Sequence, residues 1–143
     1  MMRKISLLLL TLSQAINAYA LPSSIEVNAY TTHYYPIKNA QLAANIYYLD
    51  SVEQLEDQLS YQLSSDPQIA ENQVRQKMQT MEWKRTEQSL IQSYVGVTEG
   101  WKNGITKVPA VLFTNTDTGK SAVIYGETDI ARAIHRYQQI ISF

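Results

Sequence analysis

The run Val108-Pro109-Ala110-Val111-Leu112-Phe113 constrains the fold of this chain more than any other stretch. It is apolar and β-favouring, and it begins at a proline. Proline has no N–H to give to a ladder, so it belongs at a strand start or a sheet edge. Asp117-Thr118-Gly119-Lys120 has turn composition, and Ala122-Val123-Ile124-Tyr125 is apolar again, so the two runs predict a β-hairpin. Gly126 ends the pattern and Thr128 is placed to cap a final helix. That helix has its apolar positions Ile130, Ile134, Tyr137 and Ile141 on one face. The last third of the chain must therefore be strand, strand, helix.

Upstream, Ile25-Glu26-Val27-Asn28-Ala29-Tyr30 alternates apolar and polar and predicts a strand with one buried face. A loop through His33, Tyr34, Tyr35 and Pro36 follows, then a short helical turn within residues 37 to 44. Ile46-Tyr47-Tyr48-Leu49 is apolar enough for a central strand. Asp50 or Ser51 can cap the next helix, whose stripe is Val52, Leu55, Leu59 and Leu63. Asp66-Pro67 has the N-cap and first-turn chemistry of another helix start.

From Pro67 to about Lys102 there is no further proline, and the pattern is helical. Unbroken, this segment would span roughly 54 Å, against a radius of gyration of about 14 Å for a compact domain of this size. A bend or break is expected in the all-polar Lys84 to Ser89 stretch. Beyond it the stripe Leu90, Ile91, Tyr94, Val95, Thr98 and Trp101 predicts a core-facing side. Trp83, beside the polar stretch, is a candidate for exposure. Asn103-Gly104 supplies a left-handed helix end. Strands alternating with helices predict an α/β chain whose sheet is covered on its faces.

The first residues have a different character. Arg3 and Lys4 precede an apolar run from Ile5 to Leu12, and Ala18-Tyr19-Ala20 follows. This order predicts a secretory signal peptide over residues 1–20, cleaved after Ala20, and a single domain over 21–143. The expected location is the periplasm, with no membrane span left after cleavage. Without Arg3 and Lys4, ten of the twelve basic residues face thirteen Asp and Glu. No basic run argues for direct contact with nucleic acid. The chain has no cysteine. An exported domain of this composition must hold together by packing alone, and cysteine nucleophiles, thiol exchange and cysteine metal sites are excluded.

A helix, X-Pro at the mouth of a strand, a hairpin, Gly and a last helix resemble the closing half of a thioredoxin-like domain, where that proline is cis and faces the loop after the first strand. Further, Gly104-Ile105-Thr106-Lys107-Val108-Pro109-Ala110-Val111 and Tyr125-Gly126-Glu127-Thr128-Asp129-Ile130-Ala131 resemble signature stretches of a family of small exported integrating conjugative element proteins. So do Thr32-His33-Tyr34-Tyr35-Pro36 and the Tyr94 to Trp101 stretch. A more distant likeness is to periplasmic conjugal pilus-assembly proteins with thioredoxin-like domains.

The resemblance covers most of the chain after residue 20. It implies a degenerate thioredoxin-like three-layer fold with a mixed four-stranded sheet and a long helical insertion. It also implies an accessory part in conjugative DNA transfer through a type IV secretion-like mating channel, with other channel or pilus-assembly proteins as partners. One departure changes the mechanism. Where thioredoxin-like oxidoreductases carry two cysteines, this chain has Thr32-His33-Tyr34-Tyr35, so no thiolate is available for exchange. A binding groove made by Thr32, His33, Tyr34, Tyr35, Val108 and Pro109 is what such a site retains.

Other chemistry finds little support. His33 and His135, the only histidines, are far apart in sequence, and no metal or cofactor is expected. His135 with Arg132 and Arg136 fits a solvated helix face, and Glu127 and Asp129 fit a helix start. No Gly-x-Ser-x-Gly elbow or phosphate-binding glycine loop is present, and the sequence suggests no His–Asp pair. The expectation is a non-enzymatic binding protein. A general periplasmic chaperone is the alternative, and an enzyme using His33 or a carboxylate the third.

Overall fold

The computed structural model describes residues 20–142; the signal peptide expected over residues 1–20 lies outside them except for Ala20. The chain is mixed α/β. Strand β1 (Ile25–Thr31) is followed by one 3-10 turn (Ala40–Leu42), strand β2 (Asn45–Tyr48) and helices α1 (Ser51–Tyr61), α2 (Pro67–Lys77) and α3 (Met81–Lys102). Strands β3 (Ala110–Asn115) and β4 (Ser121–Tyr125) and helix α4 (Ile130–Ile141) complete it. The sheet order is β2-β1-β3-β4, with β1 and β2 parallel and the other two pairings antiparallel. Among the described residues no helix is long and apolar enough to cross a membrane.

The alternation along β1 sorts the core into two layers. Val27 and Ala29 join Val111, Phe113, Ile130, Ile134 and Tyr137 on the α4 face. Tyr30 joins Ala110 and Leu112 on the opposite face, beneath α3. On the α4 side the Phe113 and Tyr137 rings stack 4.3 Å apart and nearly parallel. Each fully buried aliphatic side chain in this layer contributes roughly 1.5–3 kcal/mol. As a central strand, β1 is buried on both sides from Val27 to Thr31, not on one. β2, expected to be central, is an edge strand; its Tyr47 is shielded by α3 rather than by a further strand.

α3 sits on the sheet through its small residues. A Cβ on Gly96 would lie 3.2 Å from the Cβ and Cδ1 of Tyr47, and one on Gly100 would lie 3.6 Å from Tyr30 Cδ1. Gly96 and Gly100 are the two buried residues of the helix. The stripe Ile91, Tyr94, Val95 and Trp101, expected to face the core, is therefore turned outward, and Trp101 is 82% exposed. Large side chains set the hydrophobic period in the sequence, but close approach to two tyrosine rings selects the glycine face.

The break in the long helical region falls at 78–80, not at 84–89. Thr80 Oγ1 accepts from the Trp83 N–H at 3.1 Å and donates to the Lys77 carbonyl at 2.7 Å, starting a new helix. The polar stretch 84–89 simply continues α3 through solvent. Trp83 is half-buried and lines, with Leu55 and Leu59, a cavity of about 190 Å³ between α1 and α3. Asp66 caps α2 as expected, accepting from Gln68 and Ile69 N–H. Neither α1 nor α2 contains a fully buried residue.

At the far end, Asp129 rather than Thr128 caps α4, accepting from the Ala131 N–H. Thr128 instead gives its carbonyl to the Lys38 N–H, and the Lys38 carbonyl accepts from Ile130, strapping the loop after β1 to the helix start. Asn39 takes a left-handed backbone (φ 54°) and donates its amide to Asp129 Oδ1 at 2.8 Å. Ile141, expected on the buried stripe, is exposed in the last turn.

Two substitutions separate close approach from helix propensity. Gly100→Ala places its methyl in ordinary contact and is expected to stabilise by up to about 1 kcal/mol. Gly96→Val overpacks against Tyr47 and is expected to destabilise by roughly 1–3 kcal/mol. Urea denaturation of both variants measures the difference. A second test uses Tyr30, which is fully buried and whose hydroxyl burial pushes up to about 12, partly offset by the Asn103 amide at 3.3 Å. Its stabilising contribution is full below pH 10, the unfolded value, and is lost as pH rises towards 12. Tyr30→Phe should flatten the fall in unfolding free energy across that window.

Candidate functional site

β1 and β2 run in the same direction, so their carboxyl ends open at one end of the sheet, where α/β proteins commonly bind ligands. The last antiparallel pair between β1 and β3 is Tyr30 with Ala110. Val108 and Pro109 lie in the bend just before that pair. The pairing brings the end of β1, from which the 32–36 loop leaves, beside the start of the proline-headed strand. The Val108–Pro109 bond is cis, as expected.

The loop is a tight turn. The Tyr35 N–H donates to the Thr32 carbonyl at 2.9 Å, and Thr31 Oγ1 donates to the Tyr35 carbonyl at 2.7 Å. This pushes Tyr34 to the tip, 87% exposed, with Tyr35 partly exposed beside it. Thr32 is half-buried, and its hydroxyl oxygen is buried without a hydrogen-bond partner. Pro109 is buried and its carbonyl accepts from the Gly126 N–H at 2.8 Å. Val108 packs partly buried against Tyr30, Ala110 and Leu112. Of the six residues expected to form a binding surface, Tyr34, Tyr35 and His33 are presented to solvent, whereas Pro109 serves the core.

His33 is not isolated. Its Nδ1 lies 2.8 Å from Asp50 Oδ1, and its backbone N–H donates to both carboxylate oxygens at 3.2 and 3.0 Å. The imidazole stacks on Tyr48 with centroids 4.6 Å apart. Asp50 stands at the N-cap position of α1 but makes no side-chain cap, its carboxylate being committed to His33 and to the Gln54 amide at 3.2 Å. Partial burial pushes the Asp50 carboxyl up, but hydrogen bonds from the His33 N–H and ring outweigh it and the net shift is downward. An ionised carboxylate only accepts, so Nδ1 carries the proton and Nε2 is the free ring nitrogen. The arrangement can anchor the loop to α1 and can orient an imidazole towards a bound group.

Sequence reasoning missed this pair because the two residues lie seventeen positions apart on different elements. The parallel pairing of β1 with β2, ending at Thr31 and Tyr48, is what joins them. Among the described residues no cluster of three His, Asp or Glu is placed to hold a metal ion. His135, exposed on α4, takes no part here. Its neighbours Arg132 and Arg136 are more than a solvated face. They reach the buried Glu127 carboxylate at 3.2 and 3.6 Å, and Glu127 also accepts from the Asp129 N–H.

Trp101 is the second unexpected component. It lies one residue beyond Gly100, which packs on Tyr30, and is turned to solvent. Along α3 the exposed Ile91, Tyr94 and Val95 continue an apolar surface away from it. The signal available in the sequence was the Gly96–Gly100 spacing, which marks a helix face that approaches another element closely.

Asp50→Ala should cost roughly 0.5–1.5 kcal/mol by removing the acceptor of the solvent-accessible His33 N–H and ring. Because the folded carboxyl titrates below its unfolded value, this contribution is present above about pH 4 and is lost as pH falls further. Unfolding free energies at pH 6 and pH 3 should therefore differ more in the unaltered protein than in the variant.

No curated protein and no solved structure matches the chain. A family model described as "Protein of unknown function (DUF1525)" matches residues 24–141, which takes in the whole sheet and the helices on both its faces. The chain belongs to that family.

Proposed function

We propose that the chain is a non-enzymatic periplasmic binding protein, an accessory of conjugative DNA transfer through a type IV secretion-like mating channel. On this reading it has a degenerate thioredoxin-like fold. The strand order β2-β1-β3-β4, one parallel and two antiparallel pairings, and a closing helix support that reading. The first helix of such a fold would correspond to the single 3-10 turn at Ala40–Leu42, and α1 to α3 to an enlarged central helical region.

One observation carries the binding role: Tyr34 and Tyr35 are displayed on the loop that follows β1, where a redox site would need two thiols, and Trp101 stands exposed on α3. Exposed aromatic side chains of this kind are the usual anchors of protein interfaces. The His33–Asp50 pair fixes the loop that carries two of them. The partner on this reading is another channel or pilus-assembly protein. A broader chaperone role is favoured by one feature, the exposed apolar row Ile91, Tyr94 and Val95 on α3.

Affinity capture from conjugating donor cells should recover a secretion-channel or pilus protein, and deletion of the gene should lower transfer frequency. Tyr34→Ala and Trp101→Ala should each weaken that capture about tenfold or more while leaving the melting temperature nearly unchanged. A capture free of transfer proteins, together with normal transfer in the deletion strain, overturns the reading. Protection of unrelated unfolded clients by the isolated protein would point to the chaperone instead.

A further inference from the structure

The sheet has two edges, and they differ. Beside β2 lies a groove of about 290 Å³, lined in part by Ser51 at the start of α1 and by Gln92 and Ser93 of α3. Beside β4 a wider open groove of about 600 Å³ is lined by Val123, Ile124 and Tyr125 and, from α4, by Arg136, Gln139 and Ile140. Native edge strands are usually blunted by a proline, an inward-pointing charge or a bulge. Ser121-Ala122-Val123-Ile124-Tyr125 contains none of these residues and pairs with β3 without interruption.

The ladder states which backbone groups this edge offers. The Asn115 N–H donates to the Lys120 carbonyl at 2.8 Å, and the Gly126 N–H donates to the Pro109 carbonyl at 2.8 Å. Lys120 and Gly126 therefore face β3, and by alternation so do Ala122 and Ile124. The N–H and C=O groups of Ser121, Val123 and Tyr125 point away from the sheet. Turned end for end about Val123, this set matches itself: Ser121 falls opposite Tyr125, Val123 opposite its own copy, and Tyr125 opposite Ser121. Every outward donor then meets an outward acceptor.

The side chains agree with the same register. On the α4 face Ala122 falls opposite Ile124, a small residue against a large one, with the exposed Ile140 of each helix alongside. On the other face the half-buried Val123 meets its own copy. The strand carries no charge, so none is brought against its like. Arg136 borders the groove with its guanidinium already directed to Glu127 at 3.6 Å.

We infer that β4 is a self-association edge, at which two copies of this chain join their sheets by antiparallel β4–β4 pairing across a two-fold axis at Val123. Such an interface is isologous and closes after two copies. It lies at the opposite side of the sheet from β2 and leaves the Tyr34 end free, so it stands or falls independently of the transfer role.

The absence of cysteine makes the test clean. Sedimentation equilibrium over a wide concentration range should show a monomer–dimer equilibrium. Val123→Pro removes an outward N–H without touching the β3 ladder, and should weaken the dimer at least about tenfold with the circular dichroism spectrum unchanged. Val123→Cys places two thiols on the axis, at a Cα separation of about 5.5 Å, within disulfide range. It should oxidise to a covalent dimer far faster than Ser89→Cys on the exposed side of α3. Should the proline variant not fold, the cysteine pair decides alone. A monomer at every concentration, a dimer that survives Val123→Pro, or equal oxidation of the two cysteine variants would each overturn the inference.

Discussion

The approach of α3 to the rings of Tyr47 and Tyr30 organises more of this molecule than any other contact. Gly96 admits the Tyr47 ring where a Cβ would stand at 3.2 Å, and Gly100 lies over Tyr30. The two rings themselves stack 5.2 Å apart across the parallel pair β1 and β2. One helix face is thereby fixed against one edge of the sheet, and the rotation of α3 about its axis follows. With that rotation set, Trp101 and the Ile91–Val95 row must face solvent. The segment leaving α3 through Gly104, with its left-handed φ of 67°, then enters β3 beside β1. The other face owes its strength to a different device, the burial of Ile130, Ile134 and Tyr137 against Val111 and Phe113.

Local chemistry in the sequence foretold the local structure well. The hairpin, the Asp66-Pro67 helix start, the Asn103-Gly104 helix end and the short turn in 37–44 all formed where side-chain capping and backbone freedom act within a few residues. Choices made between competing long-range partners were not legible. β2 has the composition of a central strand and lies at the edge, because α3 supplies the shielding that a further strand would have given. Thr80 started a new helix where a whole polar stretch beginning four residues on made no break, since one hydroxyl satisfying an N–H and a carbonyl outweighs an exposed polar face. The periodicity of α3 pointed to the wrong side because two glycines carry no hydropathy signal.

The candidate site follows the same division. The nearness of the end of β1 to the start of β3 came from the order of elements and was expected from it. The link from His33 to Asp50 came from strand pairing, and no spacing rule announces it. It gives the aromatic loop a fixed base at little cost to α1: a carboxylate at a helix start still interacts favourably with the dipole when it does not cap the chain itself. The buried Glu127 plays a comparable part at the opposite corner, gathering two arginines of α4 and the Asp129 N–H at the point where β4 hands over to the helix.

The lack of any fully buried residue in α1 and α2 has a consequence for how the molecule moves. Segments with few buried apolar contacts and exposed backbone hydrogen bonds open at lower free energy than the strands of a core. The chain is therefore two tiers of stability in one domain. A rigid sheet backed by α4 holds the aromatic loop in place, and a looser pair of helices rides on α3, able to unfold and refold while the sheet remains intact. Insertions, losses or sequence drift in 51–79 would be felt first as a change in local dynamics, long before the β-sheet registered it.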